Sequence, residues 1–249
     1  MSQVQCIIAA VRVSYTDLKD LGPVCDCLTE RVIHGLLMSL VAGEQHSEEF
    51  QKVNILKKVP VIKDGDFTLA ESVAILKYLA GKYQSPDHWY PADLQKRARV
   101  DEYLSWQHTT LRPQAGNIFR MKVLFPIMTG GPAPEDKMQE AQDELTKGLE
   151  SFQEKFLQDK PFIVGTEISL ADLVAIVELM QPLGGGYDPL EGSATLTAWR
   201  DRVKTAIGKD LFNKAHEAIL NAAETLKLLT QGQPETLAAA KASFRKYFK

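Results

Sequence analysis

Lys58, Glu71 and Ser72 carry charges and a hydroxyl that could hold a small ligand with both carboxylate and amine groups. Glu71 and Ser72 precede an apolar run typical of a helix, and the first amides of a helix bind anions because they lack intrahelical partners. Glu71 also supplies the negative charge that an amine requires. Lys58 could bind a second carboxylate by charge-assisted hydrogen bonds. An ordinary helix cap and a surface lysine are the alternative interpretation.

A hairpin pattern stands directly before this helix. Pro60 precedes a short apolar strand, Asp64-Gly65 is typical of a tight turn, and the chain returns through Phe67 to Leu69. The following helix is predicted to run to Tyr83. The order of elements is therefore strand, turn, strand, helix.

The first forty residues are compatible with a strand, helix, strand start. The segment 4–13 is apolar and β-branched enough for a buried strand, 23–34 could form a short helix, and 36–41 could form a second strand. The cysteines in this region, Cys6, Cys25 and Cys27, match neither a CxxC pair nor a zinc pattern and are expected to be free thiols.

The second half of the chain is predicted to be helical. The segment from Gln84 to Asp93 has no periodic pattern and is interpreted as a linker. Beyond it, apolar residues recur at helical spacing and are predicted to be core rather than cofactor contacts. These residues are Val100, Tyr103, Leu104 and Leu111, followed by Met138, Ala141, Leu145, Leu149, Phe152 and Phe156.

Ser169 and Asp172 match a capping box at the start of a helix. The Ser169 hydroxyl can accept from the Asp172 amide, while the Asp172 carboxylate accepts from the Ser169 amide. Ile168 and Leu173 stand where a hydrophobic staple belongs. We therefore assign Asp172 to folding rather than to catalysis.

The amino-acid composition and net charge limit the classes of function that this chain can have. The chain has 249 residues, 45% of them hydrophobic and 24% charged, as expected for one large or two modest globular domains. A net charge of -3 gives no electrostatic argument for nucleic acid binding. The N-terminus has neither a basic signal region nor a membrane-spanning run, so no membrane association and a cytoplasmic location are expected. No metal site is predicted.

From about Leu40 to Leu220 the sequence resembles cytosolic glutathione transferases, and most closely the theta class. The motifs that carry the resemblance are the Val-Pro, hairpin and Glu-Ser series at 54–72, Trp89-Tyr90-Pro91, 97–111, 162–165, 168–175 and Trp199-Arg200. It implies an α/β thioredoxin-like domain at 1–83, a linker at 84–94 and an all-helical domain at 95–249. Residues 1–35 lie outside the resemblance, so the first βα unit is expected to be either rebuilt or incomplete.

The resemblance also implies a function: the thiolate of glutathione is joined to a small hydrophobic electrophile, such as an alkyl halide, by a homodimer that needs no cofactor. Glu71 and Ser72 would bind the γ-glutamyl group. The backbone of Val59, next to a cis proline at Pro60, would bind the cysteinyl unit. The glycyl carboxylate would meet Lys58 together with residues of the preceding loop, namely Gln45 and His46.

Theta enzymes activate the thiol with a serine just after the first strand. Ser14 stands at that place by topology, with Tyr15 as a second candidate, and an ordinary turn is the alternative. Arg112, Phe119 and Met121 are expected beside the second substrate, and core and surface positions of an ordinary helix are again the alternative.

Two other functions remain open from the sequence. A non-catalytic relative could keep the transferase fold, with or without glutathione binding, while lacking the thiol-activating serine. A thiol oxidoreductase could use Cys25 or Cys27, although the single residue between them is not the usual redox spacing.

Overall fold

The computed structural model describes residues 4–9, 33–38, 44–230 and 234–244. The described residues divide into two units. One unit contains the residues up to Ser85 together with those from Glu224 onward, and the other extends from Pro86 to Ala223. The domain limits drawn from the sequence stay a prediction.

The strands of the described residues form one four-stranded sheet in the order β2-β1-β3-β4. β1 (Val4–Ala9) is parallel to β2 (Ile33–Met38) and antiparallel to β3 (Val61–Asp64), and β3 is antiparallel to β4 (Phe67–Ala70). A mixed sheet of this order, joined with helices, confirms the predicted α/β thioredoxin-like fold. Residues 4–9 and 33–35, which lie outside the resemblance, therefore contribute to its strands.

The predicted limits near the N-terminus are partly wrong. The second strand begins at Ile33 rather than Leu36, so Ile33 and His34 are extended and not the end of a helix. The register explains the difference: Val4, the first residue of β1, pairs with Ile33, and the ladder continues along the strand. Pairing with a neighbouring strand overrides local preference. The rest of the predicted helix lies outside the described residues.

Helices lie between and directly after the strands of this sheet. A short 3₁₀ helix (Glu44–His46) leads into α1 (Glu48–Val53), and α2 (Ser72–Lys82) follows β4 directly. The apolar face of α2 places Ile75 and Leu79 against Ile62 of β3, and all three are buried. The predicted hairpin and helix are thus confirmed.

The second unit is helical, as predicted. Helix α3 begins at Leu94, and the segment 83–93 before it contains no helix or strand. The helices of this unit are α3 (Leu94–Thr109), α4 (Leu111–Phe119), α5 (Phe125–Thr129), α6 (Glu135–Ser151), α7 (Leu170–Gly184), α8 (Ala194–Ile207) and α9 (Lys209–Leu220). Two more helices follow, α10 (Ala222–Thr230) and α11 (Pro234–Phe244), and from Glu224 onward they belong to the first unit. Two π-helical turns, Arg120–Leu124 and Phe152–Leu157, interrupt the series.

The two predicted apolar stripes form the core of the helical unit. Each of their residues is buried except Met138, which is half-buried. The Tyr103 ring packs edge-on against Phe152 and Phe156, with centroids 5.8 and 5.2 Å apart. Phe152 in turn packs edge-on against Trp199 at 5.1 Å. This aromatic cluster joins α3, the second π-helical turn and α8.

Asp172 connects three parts of the helical unit through a carboxylate that is fully buried. Its Oδ2 accepts from the Ser169 amide at 3.1 Å and completes the capping box of α7. Its Oδ1 accepts from the Ile163 amide at 2.9 Å and from Trp199 Nε1 at 3.0 Å. Burial raises the pKa of Asp172, and these hydrogen bonds act in the opposite direction. The sequence predicts the capping box but not the bonds to Ile163 and Trp199.

Asp172→Ala is expected to lower the free energy of unfolding by roughly 2 to 4 kcal/mol, because it removes a helix cap and leaves buried N–H donors without an acceptor. Denaturant titration of the purified variant measures the loss. Glu167→Ala, an exposed change in the same segment, is the control. A loss for Asp172→Ala no larger than that of the control would contradict the role given to this carboxylate.

Candidate functional site

The loop that carries Lys58 is folded by a buried asparagine. Asn54, which ends α1, is 7% exposed. Its Nδ2 donates to the Lys58 carbonyl at 2.7 Å, and its Oδ1 accepts from the Leu56 amide at 3.1 Å. The side chain thereby fixes the backbone of Lys58 while the lysine side chain stays exposed. The sequence alone predicts no role for Asn54, although an asparagine after a helix is a known turn signal.

Val59 and Pro60 connect this loop to the sheet. The peptide bond between them is cis, as the resemblance implies. Val59 is half-buried and packs on a cluster formed by Phe50 of α1 and Val61 of β3. The ladder of β3 begins only at Val61, so Val59 lies just outside the paired strand.

Glu71 joins β4 to α2 in an unusual backbone conformation. Its φ of 71° lies in a region that residues other than glycine rarely adopt. The first intrahelical bond runs from the Ile75 amide to the Glu71 carbonyl at 2.9 Å, and the helix start has no side-chain cap. The Glu71 side chain is exposed and Ser72 is half-buried. The amides of the first turn are therefore oriented as anion donors.

The hairpin register brings these two segments together. Val61 is paired with Ala70, so Pro60 and Glu71 are the next residues beyond the last pair on each side. Four of the predicted residues, Lys58, Val59, Glu71 and Ser72, consequently flank one end of the hairpin. A cation, a backbone segment outside the ladder, a carboxylate and a helix start are then next to the same end of the hairpin.

Gln45 and His46 lie on the short 3₁₀ helix before α1. Gln45 is 4% exposed and His46 is exposed, with 3.4 Å between Gln45 Nε2 and His46 Nε2. The Ser47 hydroxyl caps α1 by accepting from the Phe50 amide at 3.1 Å. Since Phe50 packs on Val61, α1 fixes the position of Gln45 and His46 relative to β3. Lys58 stands beyond the opposite end of α1 from this pair.

Ser14 and Tyr15, the two candidates for thiol activation, lie outside the described residues. Cys25 and Cys27 lie outside them as well. Among the described residues no group of three or more metal-ligating side chains comes together. Within the same part of the chain, no helix has the length and apolar character needed to cross a bilayer.

Arg112, expected beside the second substrate, is the second residue of α4. Its Nε lies 3.4 Å from Oε1 of Glu178 on α7. Phe119 and Met121 are both half-buried where α4 passes into the first π-helical turn. The sequence gives no signal for Glu178, which stands in an apolar run of α7 and is 5% exposed.

Family models and individual relatives agree with the resemblance. Residues 36–81 match the N-terminal domain of glutathione S-transferase, and residues 117–205 match its C-terminal domain. The chain is 58% identical to glutathione S-transferase theta-1 of Gallus gallus over 182 residues, which cover 73% of this chain and 70% of that protein. It is 54% identical to theta-1 of Homo sapiens over 186 residues, covering 75% and 78% of the two chains.

A solved structure gives the same result. The human theta-class glutathione transferase, in complex with the glutathione conjugate of 1-menaphthyl sulfate, superposes with a TM-score of 0.82. The two chains are 38% identical, and the match covers 98% of each.

Asn54→Ala is expected to lower the free energy of unfolding by roughly 1 to 3 kcal/mol, because two hydrogen bonds of a buried side chain are lost. Amide hydrogen exchange at Leu56 should accelerate in parallel. Gln51→Ala, an exposed change on α1, is the control and should preserve slow exchange at Leu56. Equal exchange in the wild type and Asn54→Ala would show that this side chain does not fold the loop.

Proposed function

Because this chain belongs to the theta class of the glutathione S-transferase family, we propose that it is a transferase that joins glutathione to small electrophiles such as alkyl halides. The observation that carries the proposal is the end of the β3–β4 hairpin, where Lys58 and Val59 stand beside Glu71 and Ser72. Glutathione has two carboxylates, an amine and a thiol, and each of these groups needs its own partner.

The γ-glutamyl end of glutathione is assigned to the start of α2. Its carboxylate accepts from the uncapped first amides of the helix and from the Ser72 hydroxyl, aided by the helix dipole. Its amine pairs with the exposed Glu71 carboxylate. The positive φ of Glu71 supports this assignment, since residues in such conformations concentrate at ligand sites.

The rest of the tripeptide follows the loop that Asn54 folds. The Val59 backbone, which stands outside the ladder of β3, pairs with the cysteinyl unit as an added strand would. Lys58 binds the glycyl carboxylate, and Gln45 and His46 are the further candidates for that group. Pro60 is assigned a structural role between the loop and the sheet.

The chemical step is a nucleophilic substitution. The glutathione thiolate attacks the carbon of the electrophile, a carbon–sulfur bond forms, and the halide leaves with its bonding electron pair. Ser14 is assigned as the hydroxyl that donates to the thiolate and lowers the pKa of the thiol. No metal or other cofactor takes part in this scheme.

The second substrate is assigned to the helical unit, where Arg112 offers a half-exposed guanidinium on α4. It is a small hydrophobic electrophile. A homodimer and a cytoplasmic location complete the proposal on the strength of the family relationship. Neither nucleic acid nor a membrane is included as a partner.

Glu71→Gln is expected to raise KM for glutathione roughly tenfold or more while kcat changes little, because one bond to a charged group is lost on binding. Conjugation of a reactive alkyl halide, measured against a no-enzyme control, gives both constants. Glu49→Gln, an exposed change on α1, is the matched control. An unchanged KM for glutathione in Glu71→Gln would remove Glu71 from the site.

Ser14→Ala is expected to lower kcat and to leave glutathione binding unchanged, the reverse of Glu71→Gln. The loss of one preorganised donor lowers kcat by roughly 10²- to 10³-fold, while affinity for glutathione, measured by calorimetry, stays nearly constant. An unchanged kcat would exclude Ser14 and direct attention to Tyr15. A wild-type chain that binds glutathione without conjugating it would instead support the non-catalytic alternative.

A further inference from the structure

Glu178 is a carboxylate held inside the helical unit. Only 7% of its side chain is exposed. Its Oε2 accepts from Nε2 of Gln181, one turn further along α7, at 2.6 Å, and its Oε1 faces Nε of Arg112 across the packing of α7 on α4. Burial raises the pKa of Glu178, whereas Arg112 and Gln181 act in the opposite direction. A buried ion pair seldom stabilises a fold more than apolar residues of the same volume would.

Arg112 is the partly exposed member of the pair. Its side chain is 43% exposed, and its inner nitrogen, Nε, lies 3.4 Å from Oε1 of Glu178. Within the described part of the chain the two outer nitrogens donate no hydrogen bond. A guanidinium is a rigid planar fork, so fixing its inner nitrogen also fixes the direction of the outer pair. A donor fixed in advance loses less conformational freedom when a ligand binds.

We infer that Glu178 is a positioning residue for the second substrate: its buried carboxylate fixes Arg112 so that the outer nitrogens form a prepared pair of donors. This inference rests on the proposed function, which assigns Arg112 to that substrate. Electrophiles that carry an oxygen acceptor should bind more tightly because of this arrangement, since a planar pair of donors binds two oxygens of one group best. The affinity of electrophiles without such an acceptor should change little.

The test compares 4-nitrobenzyl chloride, whose nitro group offers two oxygens, with benzyl chloride. Glu178→Gln keeps the volume of the side chain and an oxygen acceptor for Gln181 but removes the charge that holds Arg112. KM for 4-nitrobenzyl chloride should rise roughly five- to tenfold, the loss expected when one charge-assisted hydrogen bond is misplaced. KM for benzyl chloride and KM for glutathione should stay within about twofold.

Two comparisons separate positioning from a general effect on the fold. Glu150→Gln makes the same chemical change at an exposed position of α6 and should leave all three KM values unchanged. In Arg112→Gln the substrate contact is already lost, so adding Glu178→Gln should raise KM for 4-nitrobenzyl chloride no further. Additive effects of the two substitutions would overturn the inference, as would an unchanged KM in a folded Glu178→Gln variant.

Chemical modification gives a measurement that does not need activity. The rate at which phenylglyoxal modifies Arg112, followed by peptide mass spectrometry, should increase in Glu178→Gln because the guanidinium is released from its partner. An unchanged rate would overturn the inference. A wild-type chain without conjugation activity would instead refute the proposed function, while the modification rate would still show whether Glu178 holds Arg112.

Discussion

The last pair of the β3–β4 ladder, Val61 with Ala70, is the constraint on which the candidate site depends. Antiparallel pairing fixes which residues stand next to each other beyond the end of the ladder, and here these are Pro60 and Glu71. A slip of one residue would separate the Lys58 loop from the start of α2 and turn their side chains to opposite faces. The buried side chains of Phe50 and Ile62 hold this register by giving the sheet an apolar interior on which α1 and α2 pack.

Two buried carboxylates in the helical unit illustrate different uses of charge. Asp172 accepts hydrogen bonds from Ser169 of its own capping box and from Ile163 and Trp199, and its carboxylate is fully buried. Glu178 instead faces an arginine whose outer end is open to solvent. The first arrangement is explained by folding alone. The Glu178–Arg112 ion pair adds little to the stability of the fold, because burying a charge costs desolvation free energy. Binding of a substrate by Arg112 gives the pair a function that stability does not.

Local patterns in the sequence were sufficient for the hairpin, α2, the apolar stripes and the capping box, because each depends on neighbouring residues. The start of β2 at Ile33 could not be read locally, since pairing with Val4 decides it. Asn54 and Glu178 were missed for a related reason. Their roles depend on the Lys58 carbonyl and on Arg112, and the Arg112 contact joins residues far apart in the sequence. Ser14 remains a prediction from topology.

A crystal structure of the chain with a non-reactive S-alkyl glutathione bound would show whether glutathione binds at the end of the β3–β4 hairpin. We expect the γ-glutamyl carboxylate at the first amides of α2, the amine at Glu71, and the cysteinyl backbone paired with Val59. The ligand at a different place on the chain, or a fully folded protein that does not bind it at saturating concentration, would rule out this binding site.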